Sequence, residues 1–112
     1  MAKVMKEKLV LKFNKDEMYA FGQMVMMMEE KTMEKVRADK AILYNLLGLT
    51  LSHLNQKKVH QKATFPKEKN KVTLTIPEAE AVKIGLLLIG IQDLDGYCTA
   101  IYVRLMDELK KI

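Results

Sequence analysis

A mainly α-helical fold carrying a two-stranded antiparallel β-ribbon follows from three features of the chain. Two short stretches alternate apolar and polar residues. Each runs directly into a segment of helical periodicity. The two passages also match each other at a separation of 63 residues, KLVLKFNKDEMYAFG from Lys8 and KVTLTIPEAEAVKIG from Lys71. A lone strand leaves its backbone groups unpaired, whereas two copies can pair with each other. The expected architecture is one domain over residues 1–112, built of duplicated strand–helix–helix units with an internal pseudo-two-fold axis. Residues 8–58 form the first unit, 59–70 a basic loop and 71–111 the second unit.

The first strand places Leu9, Leu11 and Phe13 on one face and Lys8, Val10 and Lys12 on the other. Asn14 followed by Glu17 has the spacing of a capping box, so a helix starts there. Met18, Phe21, Val25 and Met28 recur at three and four residues and give that helix its apolar face. A charged connection is expected around EEKTMEKVRADK. A second helix follows over about residues 33 to 55. Its stripe is Val36, Leu43, Leu47 and Leu54, flanked by Ile42, Leu46 and Leu51. Gln56 to Asn70 reads as loop.

In the second unit Val72, Leu74 and Ile76 match the inward set, and Lys71, Thr73 and Thr75 the outward one. Pro77 suits a first helical turn, and Glu78 and Glu80 suit the positive end of the helix dipole. At the same separation Ala81, Ile84, Leu88 and Ile91 form the apolar face, with Gly85 matching Gly22. Val82, Leu86, Leu87 and Ile89 add apolar residues elsewhere, so this helix is buried on several sides or forms an oligomer contact. QDLDG breaks it, with Asp93 or Asp95 as the next cap. Cys98, Ile101, Tyr102, Leu105, Leu109 and Ile112 then form one stripe.

Composition narrows the class. Hydrophobic residues make up 49% and charged residues 29%, enough for a core and a wetted surface. Two prolines and five glycines speak against a disordered or fibrous chain. The longest uncharged apolar run, Ile84 to Ile91, is too short to span a bilayer, so no membrane partner is expected. MAKVMKEKLV lacks the apolar core of a secretory signal, and a single cysteine suits a reducing compartment. The expected location is cytoplasmic. Residues 57 to 71 set six lysines against Glu68, the same surplus of +5 that the whole chain carries. Such a segment attracts a polyanion or simply solvates a linker.

A short alternating strand, a helix, a brief break and a second helix resemble the ribbon-helix-helix repressors. KVTLTIPEAEAV resembles their strand-to-helix entry, and DLDGYCTAIYVRLMDELKK their turn and second helix. The earlier copy, Lys8 to Lys58, matches more loosely, and the chain is similar to two such subunits fused. The resemblance implies that the ribbon's exposed face lies in the DNA major groove. Lys8, Lys12, Lys71, Thr73 and Thr75 would then meet base edges, with Val10 among them as an uninformative reader. Lys57, Lys58, Lys62, Lys67 and Lys69 would contact phosphates. Asp93 and Asp95 oppose this near the second helix start, where the family seats a phosphate. Lys35, Arg37 and Lys40 favour it in the earlier unit, diluted by Glu34 and Asp39.

No residues announce catalysis, a cofactor or a small-molecule substrate. His53 and His60 lack companions at metal-ligand spacing. Glu29 with Glu30 and Glu78 with Glu80 point to different helical faces, so neither makes an acid–base dyad. Cys98 falls on an apolar stripe as a small core residue, and the glycines form no phosphate loop. Two function classes follow. The first is a small non-enzymatic protein binding duplex DNA through the ribbon. The second is a structural or interaction module that forms homodimers through its Met-rich or apolar helices.

Overall fold

The computed structural model describes residues 8–39, 42–92 and 94–110. Asp93, Lys40 and Ile112 lie outside the described residues, as do the side chains of Asp39, Ile42 and Leu43. The order is β1 (Lys8–Phe13), α1 (Lys15–Asp39), α2 (Ile42–Leu54), a π-helical segment (Asn55–Val59), α3 (His60–Thr64), β2 (Asn70–Thr75), α4 (Ile76–Ile89) and α5 (Gly96–Leu109). The fold is mainly helical, and β1 pairs with β2 in one antiparallel two-stranded sheet.

The alternation of both strands translates into two faces. Leu9 pairs with Leu74 and Leu11 with Val72 on the inner face, where Leu11, Phe13, Val72 and Leu74 are buried. Phe13 lies opposite Asn70 and stacks on Phe21 of α1 at 4.8 Å between ring centres. Asn14 and Glu17 form the expected reciprocal cap, each side chain accepting from the other's backbone N–H at 2.8 Å. Thr75 and Glu78 form a second such box at α4.

Two boundaries differ from expectation. First, EEKTMEKVRADK is no break, because α1 runs unbroken to Asp39. Glu, Lys and Met are strong helix formers, and no glycine or proline interrupts residues 23 to 39. Thr32, buried within the run, satisfies its hydroxyl on the Met28 carbonyl at 2.7 Å. Residues 33–39 therefore belong to α1 and not to the second helix. Second, helical structure continues past Leu54 through the π segment and α3, leaving residues 65–69 outside regular structure. Leu47, Leu51 and Leu54 are buried, and the next buried residue is Val59. An α-helix would return to that face at Lys58. The wider π turn brings Val59 there instead. It also sets Ala63 against Gly22, where an added Cβ on the glycine would overlap the alanine methyl. Leu46 is exposed, not part of the stripe.

The apolar face of α4 also differs. Ala79, Val82, Leu86 and Ile89 are buried along it; of the expected face only Ala81 is buried, whereas Ile84 and Leu88 are half-buried and Ile91 is exposed. The helix starts at Ile76, directly after the capping Thr75, two residues earlier than a 63-residue match requires. A two-residue shift turns a helix by about 200° and selects a different face. Cap and stripe both follow their α1 counterparts by 61 residues, as Thr75 does Asn14 and Ala79, Val82, Leu86 and Ile89 do Met18, Phe21, Val25 and Met28. Gly22 and Gly85 are thus not equivalent, and Gly85 packs on Met28 while Gly22 packs on Ala63. Helix α4 contacts α1, α2, α5 and both strands, and α1 contacts α2, α3, α4, α5, β1 and the π segment, so the two helices together form the centre of the core. Gly90 ends it at φ 71°, its N–H donating to the Leu86 carbonyl at 3.1 Å. Asp95 caps α5 by accepting from Cys98 N at 2.8 Å, and Ile101, Leu105 and Leu109 are buried as expected. No helix among the described residues is long and apolar enough to cross a membrane.

Candidate nucleic-acid interface

The register assembles the outer ribbon face from three cross-strand pairs, Lys8 with Thr75, Val10 with Thr73 and Lys12 with Lys71. Lys8, Val10, Lys12 and Lys71 are exposed, while Thr73 and Thr75 are half-buried. The side chains singled out in the sequence as base-facing therefore share one surface. Thr75 is an exception in chemistry, because its hydroxyl accepts from Glu78 N at 3.3 Å and serves the α4 cap. Lys12 directly opposite Lys71 places like charges across a strand pair, an arrangement that costs stability unless an anion sits between them.

Side chains bond to carbonyls on both ribbon edges. Lys58 Nζ donates to the Thr73 carbonyl at 2.8 Å and to Glu78 Oε1 at 2.6 Å. Lys62, one turn on, donates to the Lys71 carbonyl. Across the ribbon Arg104 of α5 donates to the Lys12 carbonyl, binds Glu17 at 3.0 Å and lies 5.3 Å from the Phe13 ring centre. A strand edge blunted by cations cannot recruit another strand. The inner face is core, so the outer face is the surface the ribbon presents.

The five lysines expected at phosphates divide accordingly. Lys57, Lys67 and Lys69 are exposed. Lys58 is half-buried, and its ammonium bonds Glu78 and the β2 edge. Lys62 is exposed and likewise donates to the edge. At α5 the Asp95 carboxylate occupies the helix N-terminus and accepts from Cys98 N, and a phosphate there would meet a negative charge. Lys35 and Arg37 are exposed on the last turns of α1.

Groups with other chemistry are dispersed. Burial, and then Asp95 beside it, pushes the Cys98 thiol up, so it stays protonated and poorly nucleophilic. Burial also raises the Glu29 carboxyl against a hydrogen bond from Asn55. His53 and His60 are both exposed. Among the described residues no three His, Cys, Asp or Glu side chains gather as a metal-binding group. A groove of about 690 Å³ opens between α1 and the start of α5, lined by Tyr19, Met27, Leu94, Tyr97 and Cys98 among others. None of the six outward ribbon residues lines it.

Three residues that sequence reasoning passed over matter here. Arg104 reads as one of several charges outside the α5 stripe. Asn70 reads as a loop residue, yet it is buried at the start of β2. Phe65, in KATFPKEK, is the one whose signal was on the page, an aromatic set among lysines. Comparison of the chain with family models, curated proteins and solved structures finds no match.

Proposed function

We propose that this chain is a non-enzymatic DNA-binding protein that reads duplex DNA through the outer face of the β1–β2 ribbon, as two fused units similar to ribbon-helix-helix subunits. The observation that carries the reading is the face itself, with Lys8, Lys12 and Lys71 fixed together on an exposed ribbon whose edges and inner face are otherwise engaged. A two-stranded ribbon fits the major groove. Lysines donate to guanine O6 and N7, and the Thr73 hydroxyl and methyl suit either a polar base edge or a thymine methyl. Lys57, Lys67 and Lys69 add contacts to phosphate. The lone cysteine suits a cytoplasmic protein.

Internal duplication is supported by the 61-residue repeat of capping box and buried stripe. Leu11 and Val72, also 61 apart, are direct partners in the ribbon. A two-fold axis through that pair exchanges the units and presents both strands alike to pseudo-symmetric DNA. The test is titration of mixed-sequence duplex at two salt concentrations. Binding at low salt should fall steeply as salt rises, and a Lys8→Ala, Lys12→Ala, Lys71→Ala variant should lose it while melting like the parent. Equal binding by the folded variant would remove the ribbon as the reading surface.

A second reading, a homodimer, is favoured by Leu46 and Leu49 of α2, Leu87 of α4 and Val103 of α5, each more than half exposed. In the Met-rich α1, Met18, Met24 and Met28 are fully buried, and Met26 and Met33 are exposed and add to this reading. Light scattering on the eluting protein separates one chain from two.

A further inference from the structure

Residues 65–69 connect α3 to β2 and are fixed at both ends. Phe65 closes α3, its N–H donating to the Gln61 carbonyl at 3.0 Å. Pro66 restricts the next φ. Asn70, 6% exposed, then clamps the far end. Its Oδ1 accepts from Lys67 N at 3.1 Å, and its Nδ2 donates to the carbonyls of Lys67 at 2.7 Å, Phe13 at 3.3 Å and Asn14 at 3.4 Å. The backbone is thus positioned, yet the Phe65 ring is 76% exposed, more than any other large apolar side chain among the described residues. Folding gains little from a phenyl ring left in water.

The ring's neighbours indicate what covers it. A groove of about 400 Å³ is lined by Phe65 together with Gln61, Lys62, Lys67, Lys69 and Lys71. Lys71 also stands on the outer ribbon face, so groove and ribbon are continuous. An aromatic platform ringed by cations matches the two parts of a nucleotide, a flat base to stack and a phosphate to neutralise. A carboxylate-rich peptide would satisfy the lysines but leave the ring face without a flat partner.

We propose that Phe65 stacks on a nucleobase, making the α3–β2 loop a second nucleic-acid contact beside the ribbon. The inference rests on the DNA-binding reading and extends it from phosphates and groove edges to the face of a base. That base belongs either to a single strand or to a duplex step opened next to the ribbon.

The chain contains no tryptophan, so Phe65→Trp installs its only indole on the surface. The probes are a thymidine oligomer, a mixed-sequence duplex and an abasic deoxyribose-phosphate oligomer, each end-labelled so that anisotropy reports binding independently. The expected result is quenched indole emission at saturation with a base-bearing probe and unchanged emission with the abasic one. Quenching by the thymidine oligomer alone assigns the single strand as source, and quenching by the duplex assigns an opened step. Phe65→Leu, which keeps apolar bulk without a stacking face, should weaken binding about tenfold at an unchanged salt slope. Unchanged emission with base-bearing probes, whether saturated by anisotropy or not bound at all, overturns the proposal, as does parental affinity in Phe65→Leu. The ribbon reading is scored separately by Lys8→Ala, Lys12→Ala on the duplex, a pair that leaves the loop intact. Quenching by single strand without duplex binding would retain the stacking site and remove the ribbon.

Discussion

Asn70 shows how much one side chain can organise. Buried at the junction of loop and strand, it satisfies one N–H and three carbonyls, tying Lys67 of the loop to Phe13 and Asn14 at the end of β1. Asn70→Ala should lower unfolding free energy by about 2 kcal/mol in urea denaturation, because it strands buried backbone groups. Asn70→Asp should cost at least as much, since a carboxylate cannot donate to those carbonyls. Gly22 makes an opposite case, in which absence of a side chain is what matters. Gly22→Ala should cost about 1–3 kcal/mol by overlap with Ala63. Ala63→Gly in the same chain should recover part of that loss, which a double-mutant cycle reads directly. The role of Asn70 was not legible in sequence, because asparagine before a strand looks like turn chemistry. The matched glycines could signal close helix approach or coincidence; each does pack closely, but on different partners, so their equivalence does not hold.

At the scale of elements, legibility followed the locality of the cause. Both strands, the inward facing of Leu11, Phe13, Val72 and Leu74 and the Asn14–Glu17 cap depend on near neighbours and appear as expected, whereas Ile76, expected on the inner strand face, begins α4. The π segment depends on Val59 reaching the core and on α3 lying against Gly22, contacts far apart in the chain, and no local pattern announces it. Its consequence is the Lys58–Glu78 pair. Burial pushes the Glu78 carboxyl up, but Lys58 and Thr75 draw it down further, leaving it below its ordinary 4.5. A carboxyl lowered by folding stabilises the fold above its unfolded value, and that contribution disappears as pH falls through the folded one. Lys58→Met should therefore lower the melting temperature at neutral pH. The gap between parent and variant should narrow as pH drops well below 4.5, to what the Lys58 bond to the Thr73 carbonyl contributes, with a pH-dependent part of about 1 kcal/mol at pH 7 after allowance for solvent access. A constant gap across that pH range would dissociate Glu78 from the effect.

Taken whole, the molecule packs its other elements against α1 and α4 and leaves one ribbon face to solvent. That face was legible because strand alternation alone decides which side chains point together. The division of the lysines was not, since only the helical path through residues 55–64 shows Lys58 and Lys62 turned onto the β2 edge. The most direct test is to follow backbone amide resonances of the isotopically labelled chain while duplex DNA is added. Ribbon recognition predicts shifts concentrated at residues 8–12 and 71–75, with lesser ones at Lys67 and Lys69. Bound duplex whose shifts gather instead on α2 or the exposed side of α5, with the ribbon unmoved, would contradict it.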